Sequence, residues 1–174
     1  MADDQAKQAN NQQQQAEQQF IIERIYIKDV SFESPNSPDV FTQEWEPDTT
    51  LNLNTQVNPL GDDHYEVELH VSVSVKNKEG KTSFLVEVVQ AGAFLIKGYP
   101  QEQLGHLLAS YCPSNLFPYV REVISSLVSK GSFPEMHLSP INFDALYAQR
   151  LQEEQAQAQA QNPQGDANGQ KLDA

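Results

Sequence analysis

The sequence contains little cysteine and little positive charge, and both shortages restrict what the protein can do. Cys112 is the one cysteine among 174 residues, so no disulfide can form within the chain and a reducing, cytoplasmic compartment is expected. Asp and Glu number 24 against 11 Lys and Arg, a net charge of −13. Nucleic acids and anionic lipids are bound through clustered Lys and Arg, so neither is an expected partner. The charge suits a basic partner, or it serves solubility alone.

Long apolar runs are also missing. No segment approaches the roughly 20 apolar residues of a membrane helix, and the N-terminus lacks the charged start and apolar core of a secretory signal. Residues 1–19 and 152–174 consist largely of Gln, Asn, Asp and Ala. Such segments bury too little apolar surface to offset the entropy of ordering them. We therefore expect one folded domain over residues 20–151, between a disordered N-terminal tail and a mostly disordered, Gln/Ala-rich C-terminal tail.

Sequence signatures of catalysis or of metal and cofactor binding are absent. The four histidines have no metal-ligand spacing among themselves or with Cys112. No glycine-rich phosphate loop and no Gly-x-Ser-x-Gly turn occur. We expect no metal, no cofactor and no enzymatic activity. An enzyme with an unrecognised carboxylate site remains an alternative, and it predicts a closed pocket holding an acid with a perturbed pKa.

What the sequence does contain is four segments with strand character, followed by helical spacing. Residues 65–75 alternate apolar and polar side chains, the pattern of a half-buried antiparallel strand. Residues 76–81 contain Gly80 and predict a hairpin turn. The predicted strands cover residues 20–33, 51–57, 65–75 and 82–90. They indicate a four-stranded antiparallel sheet, in sequence order or nearly so.

The second half of the chain predicts three helices. The first is expected to end at Pro113, and the second to run from about Ser114 to Ser129 with Pro118 in its first turn. Gly131 is expected to form a left-handed cap, and Asn142 to cap the third helix. Strands followed by helices are typical of an α+β domain with helices on one sheet face.

The first and last predicted strands are apolar on both sides, which does not suit a monomer. In the last strand, Phe84, Val86 and Val88 alternate with Leu85 and Val89. A sheet with one helical layer leaves its other face in water, where polar residues are expected. We therefore expect an oligomer in which another copy of the chain supplies the second cover.

Large apolar side chains also occur in segments predicted to be irregular, near Trp45 and Phe94, and at the junction of the first two predicted helices, near Tyr111 and Tyr119. Such residues either fill the core or together line an exposed apolar trough, which usually marks a binding surface. A second candidate surface is the acidic side of the first strand. Asp29, Ser31 and Glu33 alternate onto one face, which is either solvated or suited to docking a basic partner.

Three segments of the sequence closely resemble the SecB family of bacterial export chaperones. They are RIYIKDVSFESPNSP (residues 24–38), YCPSNLFPYVRE (111–122) and SFPEMHLSPINFDALY (132–147). The resemblance spans about residues 20–151. It implies a homotetramer, a dimer of dimers with helices between the sheets. It also implies that unfolded precursor polypeptides bind in apolar grooves and are delivered to the SecA ATPase, without a cofactor.

The resemblance also assigns candidate residues to three surfaces. The positions implied for SecA binding are Asp29, Glu33, Leu85 and Glu87. The positions implied for the oligomer interface are Val86, Val88 and Gln90. The expected client groove, assigned from resemblance and apolar pattern together, is lined by Trp45, Phe84, Phe94, Leu104, Leu108, Tyr111 and Tyr119. A rival interpretation is an oligomeric scaffold of the same fold that binds one specific partner, such as a toxin-system protein.

Overall fold

A computed structural model describes residues 17–161, and the predictions for residues 1–16 and 162–174 lie outside this range. The strands form one four-stranded antiparallel sheet, and the helices that follow pack on one of its faces, which confirms the α+β class. The strands are β1 (Gln19–Glu33), β2 (Asp48–Gly61), β3 (His64–Lys76) and β4 (Thr82–Lys97).

The strand order is β1-β4-β3-β2, so the expectation of sequence order is wrong for β1. Two tight turns fix the order of the other three strands. Asp62 and Asp63 adopt positive φ angles of 50° and 61° between β2 and β3. In the turn between β3 and β4, the side-chain oxygen of Asn77 accepts hydrogen bonds from the Glu79 and Lys81 amides. Residues 34–47 carry the chain from β1 at one edge to β2 at the other, which leaves β4 as the neighbour of β1.

Strand β4 is longer than predicted, because it includes residues 91–97, which the sequence suggested were irregular. Gly92 lies within this added part of the strand. A Cβ atom at Gly92 would lie 2.7 Å from the Phe94 ring and 3.1 Å from Leu116. This glycine therefore allows close packing between strand and helix rather than ending the strand.

The helices are α1 (Gln101–His106), α2 (Cys112–Lys130) and α3 (Phe143–Gln161), with a π-helical turn (Leu107–Tyr111) joining α1 to α2. The prediction that Pro113 ends a helix is wrong. The wide turn, in which the Cys112 amide donates to the Leu107 carbonyl, carries the chain into α2, and Pro113 occupies its first turn, where no amide hydrogen is needed. Pro118 lies inside α2 rather than in its first turn.

The ends of α2 and α3 test the predicted caps. Gly131 has a right-handed φ of −73°, so its predicted left-handed cap is wrong, and Ser132 adopts the positive φ of 64° instead. Gly131 is required because the Phe32 ring occupies the place of a side chain. The Asn142 cap is confirmed, since its side-chain oxygen accepts from the Ala145 amide at 3.0 Å. Helix α3 continues to Gln161, ten residues into the segment whose composition predicts disorder.

The core lies between α2 and one face of the sheet, called here the helix-facing face. The apolar residues of β3 from Val67 to Val75 point into it and are almost fully buried, which confirms the predicted alternation. From α2, the buried residues facing the sheet include Leu116, Val120, Ile124 and Val128. The opposite face, called here the outer face, carries the polar residues of the same strands.

Candidate docking and binding surfaces

Strand pairing brings the four residues of the predicted SecA-binding surface together on the outer face. In the register of β1 with β4, Glu33 lies opposite Leu85 and Ser31 lies opposite Glu87. Asp29 lies opposite Val89, two residues along β4 from Glu87. Side chains of directly paired residues point to the same face. Asp29, Glu33, Leu85 and Glu87 therefore form one continuous patch, called here the acidic surface.

A network of charged side chains adjoins the acidic surface. Lys28 Nζ lies 2.6 Å from Glu68 Oε1 and 2.9 Å from Glu66 Oε2. The Tyr26 hydroxyl donates to Glu66 at 2.5 Å, and the Asn58 amide donates to both carboxylates. These hydrogen bonds from Tyr26, Lys28 and Asn58 lower the pKa of Glu66 to about 2. The two carboxylates raise the pKa of Lys28, with the Glu68 hydrogen bond as the larger cause. No part of this network was predicted from the sequence.

Two residues of the expected client groove belong to an aromatic cluster around Phe133. Its ring centroid lies 4.8 Å from that of Phe84, 5.1 Å from Phe41 and 5.8 Å from Trp45. Phe84 is fully buried at the base, whereas Trp45 is 37% exposed and Phe41 is also exposed. The cluster therefore presents an aromatic surface to solvent at the end of α2. Phe133 was not predicted, because its neighbours in sequence give no periodic pattern.

The other expected groove residues lie in three places. Phe94 is fully buried against Phe20, whose ring centroid lies 5.1 Å from that of Tyr111, and Tyr111 is 48% exposed. Leu104 and Leu108 are half-buried in α1 and the π-helical turn. Tyr119, on α2, is 49% exposed. Within residues 17–161, no aromatic ring contact joins these side chains to the Phe133 cluster.

A third apolar feature is an open groove of about 520 Å³ between α1 and α3, lined in part by Tyr99, Leu107 and Tyr147. The first turn of α3 is fixed beside it by Asp144 Oδ1, which lies 2.5 Å from the Ser110 hydroxyl and 2.9 Å from His106 Nε2. The hydrogen bond from Ser110, followed by that with His106, lowers the pKa of the Asp144 carboxyl. The sequence did not predict this arrangement.

The three expected interface residues lie inside the chain. Val86, Val88 and Gln90 occupy alternate positions of β4 on the helix-facing face and are fully buried. A second copy of the chain could not touch them directly. The exposed apolar side chains are instead concentrated on the edge strand β1, namely Ile21, Ile22, Tyr26, Ile27 and Val30.

Features of catalysis or membrane insertion are not found in the described part of the chain. Residues 17–161 contain no group of three or more potential metal ligands. None of the described helices is long and apolar enough to span a membrane. Cys112 is fully buried, and this burial raises the pKa of its thiol to about 12, so a reactive thiolate is not available.

Comparison with known proteins gives one consistent result. The family described as preprotein translocase subunit SecB matches residues 12–154. The protein-export protein SecB of Methylococcus capsulatus is 54% identical over 154 residues, which cover 88% of this chain and 99% of that protein. The SecB of Legionella pneumophila is 56% identical over 149 residues, which cover 86% and 91%.

A solved structure supports the fold independently. A SecB-like chaperone of Mycobacterium tuberculosis, in complex with a ChAD peptide from an antitoxin, superposes with a TM-score of 0.56. The alignment covers 70% of this chain and 90% of the other at 17% identity, so it supports the fold alone. Together with the identities above, which exceed 50% over most of both proteins, these matches show that the chain belongs to the SecB family of protein-export chaperones.

Proposed function

We propose that the protein is a holding chaperone of the cytoplasm. It binds unfolded precursor polypeptides, keeps them competent for translocation and delivers them to the SecA ATPase. The observation that carries the proposal is the aromatic cluster around Phe133, where Trp45 and Phe41 are exposed above the buried Phe84. Exposed aromatic side chains in a cluster are costly in water, and they are typical of surfaces that bind apolar partners.

Client binding is proposed to follow from burial of client apolar side chains against this cluster and the exposed Tyr111 and Tyr119. Burial of apolar surface contributes about 25 cal/mol per Å². A few hundred Å² would therefore contribute several kcal/mol, enough to offset part of the cost of ordering an unfolded segment. Binding of this kind requires no nucleotide and is compatible with many client sequences.

The acidic surface is proposed as the SecA docking surface, with Asp29, Glu33 and Glu87 supplying charge and Leu85 an apolar contact. It lies on the outer face, whereas the aromatic cluster lies with the helices on the other face. A client and SecA could therefore be bound at the same time. Complementary charge mainly sets the rate and specificity of such an encounter.

The functional assembly is proposed to be a homotetramer, a dimer of dimers with helices between the sheets. Strand β1 is an edge strand with unpaired backbone groups and several exposed apolar side chains. Exposed edges of this kind are usually covered in native proteins, and a second copy of the chain is the simplest cover. The fully buried Val86, Val88 and Gln90 would then affect assembly through the packing of the sheet against α2.

A second candidate function is that of a scaffold for one specific partner, such as a toxin-system protein. The observation in its favour is the shared fold with the M. tuberculosis SecB-like chaperone, which was solved with an antitoxin peptide. The two candidates differ in the breadth of their ligands, because a scaffold would ignore unrelated unfolded chains.

Client holding is tested by refolding a denatured secretory precursor with an equimolar amount of the protein and no nucleotide. The proposal predicts marked slowing of refolding and a stable complex in gel filtration. An unchanged refolding rate in the presence of correctly folded protein would favour the scaffold.

SecA docking is tested with the double variant Asp29→Lys/Glu33→Lys. The control, Glu102→Lys/Glu135→Lys, makes the same change of charge on exposed residues outside the acidic surface. We expect the first variant to lose most of its SecA affinity and to retain client holding, and the control to retain both. Equal SecA affinity in the two variants would reject the docking surface.

A further inference from the structure

Lys28 lies in a β-bulge of β1, next to the acidic surface. Ile27 pairs with Gln90 and Asp29 pairs with the next residue, Val89, so Lys28 is an extra residue without a partner on β4. Strict alternation from Ile27 would turn Asp29 towards the helices and Val30 outwards. Because the bulge inserts one extra residue, Asp29 points outwards and Val30 points towards the helices instead. The bulge therefore determines that the carboxylates of β1 lie on the outer face.

The side chain of Lys28 reaches across a whole strand to its partners. Glu66 and Glu68 lie on β3, and β4 lies between β3 and β1. At the crossing, β4 presents Ala91 and Ala93 on the outer face, paired with β3 residues Glu68 and Glu66. Because alanine has no side chain beyond Cβ, the lysine stem can pass over the strand and place its ammonium between the two carboxylates.

The carboxylates that hold Lys28 are themselves fixed. Both are largely buried, with side-chain exposures of 12% for Glu66 and 7% for Glu68. Asn58 on β2 donates to both, and His70 Nε2 lies 3.0 Å from Glu68. A carboxylate at this depth requires such partners to remain charged. The ammonium of Lys28 therefore occupies a rigid site that ties the bulge of β1 to β2 and β3.

We infer that Lys28 is a positioning residue for the acidic surface. Its contacts with Glu66 and Glu68 hold the bulge that brings Asp29 and Glu33 onto the face of Glu87. The inference rests on the proposed docking function for its effect on SecA, whereas the effect on the bulge itself does not depend on any partner.

The direction in which SecA affinity changes distinguishes a positioning role of Lys28 from a simple effect of its charge. Lys28→Met removes one positive charge, and a basic partner attracted by charge alone should then bind more tightly. If Lys28 positions the acidic surface, SecA affinity should instead fall, by about tenfold. The matched control is Lys76→Met, because Lys76 is exposed, follows the outer-face alternation of β3 and makes no ion pair within residues 17–161. Lys28→Arg keeps the charge and should retain wild-type affinity.

Amide hydrogen exchange gives a measurement that does not require SecA. Lys28→Met should speed exchange at residues 28–31 by at least about tenfold relative to Lys76→Met, while client holding stays unchanged. Unaltered exchange, or SecA affinity equal to that of Lys76→Met, would overturn the inference. Failure of SecA to bind the wild-type protein would reject the docking function. The amide exchange rates at residues 28–31 would then be the one test of whether Lys28 holds the bulge.

A milder variant covers the case in which Lys28→Met does not fold. Tyr26→Phe removes one hydrogen bond to Glu66 without changing charge. It should speed exchange at the same amides by a smaller factor, and unchanged exchange in this folded variant would also count against the role of Lys28.

Discussion

Replacement of Trp45 by alanine tests the proposed client surface at its largest exposed side chain. A tryptophan buries up to about 250 Å² when fully covered, and 37% of Trp45 is exposed. A client that covers this remainder would bury roughly 90 Å², which corresponds to about 2 kcal/mol at 25 cal/mol per Å². We therefore expect Trp45→Ala to weaken client binding by roughly ten- to thirtyfold. Trp45→Phe, which keeps an aromatic ring, should lose less.

The assay can use Trp45 itself, because it is the single tryptophan of the chain. A client without tryptophan leaves Trp45 as the one indole emitter in the mixture. Transfer of its exposed edge from water to an apolar contact should shift the emission to shorter wavelength. The shift should titrate with the same dissociation constant that calorimetry gives for the wild-type protein.

The control for this experiment is Leu60→Ala. Leu60 is 58% exposed and lies at the end of β2 that is remote from the Phe133 cluster. Its loss should leave client affinity unchanged. The reasoning would be refuted if Trp45 emission did not respond to a bound client, or if Trp45→Ala and Leu60→Ala weakened binding equally.

Two further predictions concern ionisable groups. Burial raises the pKa of the Cys112 thiol to about 12, so the thiol should resist a thiol reagent at neutral pH in the folded protein and react once the chain is unfolded. Rapid reaction of the folded protein would contradict the burial of Cys112. Glu66 has a folded-state pKa of about 2, below its ordinary 4.5, so it stabilises the fold above about pH 4.5 and this contribution is lost as the pH falls towards 2. Glu66→Gln should therefore lower the urea midpoint at neutral pH and have less effect in acid, whereas an equal effect at all pH values would argue against the ion pair.

The strands were predictable because their information is local. The period of two in β3 identified the residues from Val67 to Val75 as buried, and the turn near Gly80 was correctly placed. The position of β1 was not predictable, because it depends on a pairing between residues more than fifty positions apart. The residues of β1 are apolar on both sides and do not select a neighbour, so β2 or β4 could equally have paired with it.

Glycine and proline misled the sequence interpretation where tertiary packing overrides local preference. A neighbouring ring or helix approaches closely at both Gly92 and Gly131. Gly92 does not end β4, and Gly131, which follows the last residue of α2, does not adopt the left-handed conformation expected of a glycine at a helix end. Pro113 follows a π-helical turn that lets the helix continue past it. Leu116 packs against Gly92 and Phe32 against Gly131, and periodicity cannot reveal contacts between residues so distant in sequence. The turn before Pro113 is instead held by a local hydrogen bond, from the Cys112 amide to the Leu107 carbonyl.

The candidate surfaces were predicted unequally for a related reason. Alternation places Asp29, Ser31 and Glu33 on one face of β1. Leu85 and Glu87 were assigned from the family resemblance, and they adjoin these residues because β4 pairs with β1. The groove could not be predicted from alternation, because the same residue types fill a core and line a trough. Phe84 and Phe94 proved to be buried supports, and Trp45 and Tyr111 lie above or beside them with exposed edges.

In strand β4, side chains that are buried within one chain must be distinguished from side chains that a second chain would bury. Its outward residues Leu85 and Glu87 belong to the acidic surface, and its inward residues, including Val88, are already covered by α2. An unpaired charge at Val88 would cost several kcal/mol, a large part of the 5–15 kcal/mol that stabilises a typical domain. Loss of the proposed tetramer in such a variant would therefore report unfolding of the chain first. Assembly is better probed on the exposed edge of β1, where a substitution leaves the core intact.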